Sequence, residues 1–208
     1  DWVCGSGENV DRFMRNTYFI LRHGESYFQT KYQDLILCGW PEKYYCPLTK
    51  KGKEKIEKVA QKLKKLNKID LIYCSDFLRT KQTARIIAQK LKKRIIFDKK
   101  LREVNLGVYA GKRKEEFYGD FPHSREYPQS LIRFSKRPRQ GESWNDVLKR
   151  IGSLVEEIEK RYKDKNILII SHGGPLWLLE GMLNGWSKEK ILKKRIRKGV
   201  ISAGELRK

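Results

Sequence analysis

The sequence lacks long hydrophobic runs and paired cysteines, and these absences exclude several kinds of protein. No apolar stretch approaches the roughly 20 residues that a helix needs to cross a bilayer. Residues 1–17 have no basic segment followed by an apolar one, as a signal peptide would have. We therefore expect a cytoplasmic protein with Cys74 buried in a strand. No C-x-x-C spacing that would indicate zinc occurs among the cysteines, which are Cys4, Cys38, Cys46 and Cys74.

Acidic residues are few compared with basic ones. The chain has 47 Lys and Arg against 25 Asp and Glu, which gives a net charge of +22. Such a charge favours anionic partners, among them phosphorylated metabolites, nucleic acid and acidic membrane surfaces. Many of the lysines lie in runs typical of solvent-facing helix surfaces, for example at 50–53 and 62–65. The charge alone therefore does not identify a partner.

The hydrophobic pattern alternates between short apolar runs and amphipathic stretches of helical spacing. This alternation predicts a three-layer α/β/α sandwich with a mostly parallel sheet. Strands are predicted at 17–20, 69–74, 94–97 and 167–171, with a short one near 199–203. Helices are predicted after the N-cap residues Thr49 and Ser143, over the stretch that includes Ala84 to Leu91, from Gly174, and near 187–196.

Three parts of the chain have no regular pattern. Residues 1–16 predict a flexible lead-in, so that residues 17–208 form a single domain. Within this domain, residues from about 112 to 140 predict an irregular, partly helical lid or insertion punctuated by prolines. Residues 27–47 are also irregular, and a segment of this length without a pattern is often functional.

Two predicted strands end in similar short sequences. The first strand leads into Leu-Arg-His-Gly-Glu-Ser at 21–26, and the strand at 167–171 leads into Ser-His-Gly-Gly at 171–174. In open α/β sheets, ligands bind at the carboxyl ends of the strands, and glycine lets a ligand approach the backbone closely. Two such junctions in one chain predict a site that contains two histidines.

The residue types at these junctions suit a phosphate group. If the strands that end at 22, 74 and 171 are neighbours, Arg22, His23, Arg79 and His172 converge, with Arg79 in the first turn of a helix behind Ser75. Two arginines and a helix N-terminus form a site for a dianionic phosphate, since the planar guanidinium can hold two oxygens and stays charged.

A histidine in such a site can act as a nucleophile. If one ring nitrogen of His23 donates to a backbone carbonyl, the other attacks phosphorus and forms a phosphohistidine. The leaving alkoxide needs a proton, for which Glu103 is the candidate general acid and later the base for water. Apolar neighbours would raise the pKa of Glu103 and arginines would lower it, and this balance stays open. His123 has no such neighbours in sequence and is interpreted as a surface residue or a substrate contact.

The motifs together resemble the histidine phosphatase superfamily, in its phosphoglycerate-mutase-like branch. The resemblance covers residues from about 17 to 204 and implies that His23 is phosphorylated, that Arg22, Arg79 and His172 bind the phosphoryl group, and that Glu103 is the proton donor. It implies no metal and no organic cofactor. Besides 21–26 and 171–174, the motifs in family order are Pro-Leu-Thr-x-x-Gly at 47–52, Ser-x-x-x-Arg-Thr-x-Gln-Thr-Ala at 75–84, Leu-Arg-Glu-x-x-x-Gly-x-x-x-Gly at 101–111 and Gly-Glu-Ser at 141–143.

Two departures from the family pattern bear on activity. The family often has an asparagine six residues after the nucleophile, where this chain has Gln29, so Gln29 is a candidate phosphate contact, as are Ser75 and Gly173 within the motifs. Cofactor-dependent mutases usually carry Glu-Arg-His-Tyr-Gly where this chain has Glu103 followed by Val-Asn-Leu-Gly. This difference favours a phosphatase. Similar bacterial members act on α-ribazole phosphate or phosphoserine, and the sequence favours neither.

The sequence thus predicts a metal-independent phosphatase that hydrolyses a small phosphomonoester metabolite through a phosphohistidine. A cofactor-dependent phosphoglycerate mutase and a non-catalytic protein that binds phosphate or nucleic acid are the alternatives. We expect no specific nucleic-acid partner and no membrane partner, and a homodimer stays open beside a monomer. Six arginines either bind a second anionic group of the substrate or are solvated, namely Arg102, Arg113, Arg125, Arg133, Arg137 and Arg139.

Overall fold

The fold is built on one five-stranded sheet with the strand order β3-β2-β4-β1-β5. The computed structural model describes residues 14–36, 42, 45–121, 129–198 and 201–208. The first four strands run parallel, and β5 pairs antiparallel with β1 at the edge. The predicted mostly parallel sheet is therefore confirmed. The strands are β1 (Thr17–Arg22), β2 (Leu71–Cys74), β3 (Ile95–Phe97), β4 (Asn166–Ser171) and β5 (Leu206–Arg207).

Helices cover both faces of this sheet, which confirms the three-layer architecture. The helices are α1 (Tyr27–Thr30), α2 (Lys50–Leu66), α3 (Leu78–Leu91), α4 (Lys114–Asp120), α5 (Trp144–Arg161), α6 (Gly173–Leu183) and α7 (Lys188–Lys198). The hydrophobic residues of α2 and α3 pack on one face, and those of α5 and α6 on the other. Among the described residues, no helix is long and apolar enough to cross a membrane.

Successive strand residues point to opposite faces, and the sequence of β4 shows the result. Ile167 and Ile169 pack with α5 and α6, whereas Leu168 and Ile170 pack with α2 and α3. All four side chains are completely buried. A central parallel strand covered on both faces needs apolar residues throughout, which explains the uninterrupted run in the sequence.

The predicted last strand is misplaced. We expected it near 199–203, of which 199 and 200 lie outside the described residues; residues 201–203 are not in a strand, a turn lies at 203–204, and the edge strand is Leu206–Arg207. Gly204 has a left-handed backbone (φ +69°), and its N–H donates to the carbonyls of Arg22 and His23 at 3.1 and 3.0 Å. Ile201 is fully buried because it packs in the core. Its apolar character therefore reflects core packing and not a strand.

The irregular segments contain short helices. Residues 27–30 form α1, and the predicted lid contains α4 together with a 3₁₀ helix at Gln129–Phe134. Further 3₁₀ turns lie at Lys99–Leu101 and Gly107–Tyr109. At the start of the described chain, the side-chain N–H of Asn16 donates to Glu159 of α5, so residues next to β1 already contact the domain. Cys4, Cys38, His123 and Arg125 lie outside the described residues.

The loop after β1 is fixed against the start of α2. Thr49 caps α2 by accepting from the N–H of Gly52 at 2.9 Å, and its hydroxyl donates to the Glu25 carboxylate at 2.8 Å. The N–H of Thr49 donates to the Glu25 carbonyl at 3.0 Å. A Cβ atom at Gly52 would lie 2.1 Å from that carbonyl oxygen. The Pro-Leu-Thr-x-x-Gly motif therefore lets the backbone next to His23 pack directly on α2.

Gly52→Ala should destabilise the protein, because its methyl group would collide with the Glu25 backbone and displace the loop after β1. Forcing an extra methyl group into a packed site costs typically 1–3 kcal/mol. The free energy of unfolding can be measured by urea denaturation followed by far-UV circular dichroism. Gly119→Ala in α4 is the matched control, since a Cβ there would meet no atom within 4 Å. Equal stability of the two variants would contradict the proposed packing.

Candidate active site

The carboxyl edge of β1, β2 and β4 brings the two predicted histidines together. β4 lies between β1 and β2, so the residues that follow these three strands meet at one place. The ring centroids of His23 and His172 are 5.2 Å apart in an edge-on arrangement, and Phe77 packs against His172 at the same distance. Both imidazoles are almost completely buried.

His23 has the geometry of a neutral imidazole whose unprotonated nitrogen faces Arg79. Its Nδ1 lies 2.7 Å from the Gly24 carbonyl oxygen, which can only accept, so Nδ1 carries the proton. Nε2 then accepts from Nε of Arg79 at 3.3 Å. Burial lowers the pKa of His23 well below its ordinary value, and the charges of Arg79 and Arg22 lower it further. The ring is therefore neutral at physiological pH.

His172 is the N-cap residue of α6, and its ring is held by Ser75. Nε2 of His172 lies 2.9 Å from the Ser75 hydroxyl. Nδ1 is buried and has no hydrogen-bond partner within the described part of the chain. Burial lowers the pKa of His172 well below its ordinary value, with further contributions from Arg79 and His23. The hydroxyl of Ser75 thus contacts a histidine, and Nδ1 is the ring atom that remains for a ligand.

The two arginines are held in place by different parts of the chain. Arg79 is in the first turn of α3 and is 3% exposed. Its guanidinium carbon lies 5.9 Å from the ring centroid of Phe28 and 5.3 Å from that of Phe77. Arg22 donates from Nη1 to the Ile201 carbonyl at 2.8 Å. A Cβ at Gly173 would be 3.3 Å from the Arg22 guanidinium carbon. The glycine thus lets Arg22 approach the N-terminus of α6.

Glu103 lies at the same helix terminus. Its Oε1 accepts from the N–H of Val104 at 2.9 Å, and a Cβ at Gly174 would be only 2.5 Å from this oxygen. Arg150 of α5 donates from Nη2 to the Glu103 carbonyl at 3.3 Å. The two glycines at 173 and 174 therefore admit a cation and a carboxylate, respectively, to the start of α6.

Gln29 has a structural contact and one unused donor. Its Oε1 accepts from the N–H and the hydroxyl of Ser26, at 2.8 and 2.7 Å, which caps α1. Its Nε2 is buried and makes no hydrogen bond to any described residue. The amide therefore retains a donor for an anionic ligand, and its role as a phosphate contact stays a prediction.

Sequence analysis assigned no role to several residues that contact the site. Thr83 accepts from the N–H of Gly24 at 3.1 Å, and Thr80 donates to the Ser75 carbonyl at 2.9 Å. Both lie in the motif at 75–84, and this position is the feature of the sequence from which their contact with the site could have been predicted. Glu42 contacts the start of α3 and Arg79. It lies in the irregular segment before α2, where no periodicity indicates a contact.

Three of the arginines that could have bound a second anionic group form ion pairs with acidic residues instead. Arg102 forms two hydrogen bonds to the Asp76 carboxylate, at 2.7 and 2.6 Å. Arg113 and Arg137 are exposed and pair with Glu115 and Asp146, and Arg139 is exposed. Arg133 is buried among the rings of Phe117, Phe121 and Trp144.

Comparison with known proteins identifies the family. The sequence profile of the Histidine phosphatase superfamily (branch 1) matches residues 18–207. The chain belongs to this superfamily. Among curated relatives, a probable phosphoglycerate mutase GpmB from Escherichia coli is 29% identical over 189 residues, which cover 88% of this chain and 82% of the relative.

Solved structures of this superfamily share the fold. A mycobacterial glucosyl-3-phosphoglycerate phosphatase matches with a TM-score of 0.75 and 22% identity, covering 91% of this chain and 87% of that chain. A phosphoserine phosphatase from Entamoeba histolytica, solved with phosphoserine, has a TM-score of 0.72 and 21% identity, covering 92% and 88%. At this identity the likeness shows the fold alone. These relatives include both a probable mutase and phosphatases, so superfamily membership leaves the reaction undecided.

The two buried histidines should make the stability of the free protein pH-dependent. Below about pH 6.5 the unfolded chain binds protons at these residues while the folded chain does not, so stability is lost as pH falls. Each histidine should account for about 1.4 kcal/mol of lost stability in total between about pH 7.5 and 5.5, because the unfolded chain goes from mostly deprotonated to mostly protonated at that residue over this range. Urea denaturation at several pH values between about 7.5 and 5.5 measures this loss.

The variant His23→Asn is the test of this assignment. It removes one of the two titrating groups, so its loss of stability between about pH 7.5 and 5.5 should be smaller than that of the unchanged protein by about 1.4 kcal/mol, a mean difference in slope of about 0.7 kcal/mol per pH unit. Identical slopes for the two proteins would show that His23 does not titrate differently in the folded and unfolded states.

Proposed function

We propose that the protein is a metal-independent phosphatase that hydrolyses a small phosphomonoester through a phosphohistidine at His23. The observation that carries this proposal is the neutral imidazole of His23, with Nδ1 bound to the Gly24 carbonyl and Nε2 facing Arg79. A neutral nitrogen lone pair beside a permanent cation is the arrangement that attack on a phosphate dianion requires.

The phosphoryl group would bind between the two arginines and the two helix starts. Arg22 and Arg79 supply charge, and the N-termini of α3 and α6 supply further positive potential. His172 fits a third contact, because its Nδ1 has no partner among the described residues and lies at the N-cap of α6. A bound dianion raises the pKa of a nearby imidazole, so His172 can take up a proton as the phosphate binds.

The reaction would run in two steps. Nε2 of His23 attacks phosphorus and the bond to the substrate oxygen breaks, while Glu103 in its acid form gives that oxygen a proton. Glu103, now a carboxylate, accepts a proton from water as the water oxygen attacks the phosphohistidine. Phosphate leaves, and both residues return to their starting state. The position of Glu103 against Gly174 supports this role.

The curated relative supports a second candidate reaction, phosphoglycerate mutation, since it is named a probable mutase. A mutase must return the phosphoryl group to the substrate before water intercepts it. The residues after Glu103 differ from the usual mutase sequence, and the solved relatives named above are phosphatases. The mycobacterial phosphatase has also been solved with inorganic phosphate. These points favour hydrolysis. The proposal also keeps the expectation of a cytoplasmic enzyme without a specific nucleic-acid partner.

The first experiment compares hydrolysis of an aryl phosphate by the unchanged protein and by His23→Ala, both with excess chelator. The unchanged protein should turn over in chelator, and the variant should lose at least roughly 1,000-fold in kcat/KM because the nucleophile is gone. Circular dichroism checks that the variant is folded. Rapid quench with labelled phosphoester should trap label on His23. Turnover that survives in His23→Ala would disprove the mechanism.

A separate assay distinguishes the mutase. The protein is incubated with 3-phosphoglycerate and a bisphosphate primer, and the products are separated. We expect release of inorganic phosphate or no reaction, and no 2-phosphoglycerate, because the site lacks the usual mutase residues after Glu103. Isomerisation faster than hydrolysis would establish the mutase in place of the phosphatase.

A further inference from the structure

A carboxylate that the proposed reaction does not use contacts the phosphate-binding groups. Oε2 of Glu42 accepts from the N–H of Leu78, the first residue of α3, at 2.8 Å. Its Oε1 pairs with Nη1 of Arg79 at 3.3 Å. The side chain of Glu42 is 20% exposed, whereas that of Arg79 is 3% exposed. Glu42 is therefore the more exposed partner of the pair and places a negative charge directly on Arg79.

Glu42 and a bound phosphoryl group can share the same guanidinium. Arg79 uses Nε toward His23 and Nη1 toward Glu42. A guanidinium has five N–H donors in one plane, so donors remain on the side of the nucleophile. Binding of a phosphoryl group thus does not require Glu42 to leave. The bound state then has one arginine between two anions.

Arg79 is the cation that Glu42 contacts, and Lys81 acts on its carboxylate more weakly. Arg102 packs on the same Phe77 ring as Arg79, with 5.6 and 5.3 Å to the centroid, but its charge is matched by two hydrogen bonds to Asp76. Once a phosphoryl group also occupies Arg79, a second anion on the substrate that approaches this arginine is repelled by the Glu42 carboxylate already bound to it.

We propose that Glu42 is a specificity-determining residue that disfavours substrates with a second anionic group beside the phosphomonoester. The favoured substrates are phosphomonoesters of uncharged or amino-bearing alcohols. This inference rests on the proposed phosphatase function and names the substrate class of the same site.

Glycerol 3-phosphate and 3-phosphoglycerate form a matched pair for the test, since they differ chiefly in a hydroxymethyl group against a carboxylate. Their inhibition constants are measured against aryl phosphate hydrolysis for the unchanged protein, Glu42→Gln and Glu57→Gln. Glutamine keeps an acceptor for the Leu78 N–H and loses only the charge. Glu57 is exposed on α2, so its variant controls for net charge.

The unchanged protein should bind glycerol 3-phosphate roughly tenfold more tightly than 3-phosphoglycerate, and Glu42→Gln should reduce this ratio roughly five- to tenfold by improving 3-phosphoglycerate alone. Glu57→Gln should keep the original ratio. Calorimetric dissociation constants with His23→Ala give the same ratios without turnover.

An unchanged ratio in Glu42→Gln would overturn the assignment of Glu42. Equal improvement of both esters would also overturn it, because Glu42 would then compete with phosphate itself. Failure of the protein to bind either ester at millimolar concentration would likewise overturn the assignment of Glu42. Loss of the proposed function would be seen separately, as turnover that does not depend on His23.

Discussion

Two neutral imidazoles lie beside two arginines in the ligand-free protein, and the surrounding structure is arranged to keep them uncharged in that state. Exposed to water, His23 and His172 would be partly protonated near neutral pH and could not offer a lone pair. Burial removes the water that would stabilise the charged ring, and the charges of Arg79 and Arg22 oppose protonation as well. In the proposed mechanism, the groups that attract a phosphate dianion are thus the same groups that keep the nucleophile neutral.

Keeping this arrangement buried requires that each backbone segment around it be fixed. The Gly24 carbonyl orients His23, and Gly24 itself is held by Thr83 of α3. The next residue packs on Gly52 at the start of α2. The motifs that resemble the family in sequence therefore contain few reacting groups and many residues that admit close backbone contact. Their specificity as a signature comes from this packing, which tolerates little change in side-chain size.

The sequence predicted those elements whose hydrophobic pattern is set by secondary structure alone. The buried run of β4 and the spacing of α2 and α5 indicated their elements, and the motif positions indicated the strand ends that meet at the site. The last strand was misplaced because a two-residue edge strand has no alternation to detect, while Ile201 is apolar for a different reason. Glu42 was not predicted at all, since its contacts with α3 join segments distant in sequence and leave no periodic signal.

The net charge of +22 and the charge of a single carboxylate act over different distances. The lysines spread over the helices create a positive field that attracts phosphorylated molecules in general, and it is screened beyond about 8 Å in physiological salt. Such a field raises the rate of encounter and does not distinguish one phosphomonoester from another. Discrimination must come from charges that touch the bound substrate or its binding groups. In a chain this rich in cations, we therefore expect the acidic side chain on Arg79 to have more influence on substrate choice than any of the surface lysines.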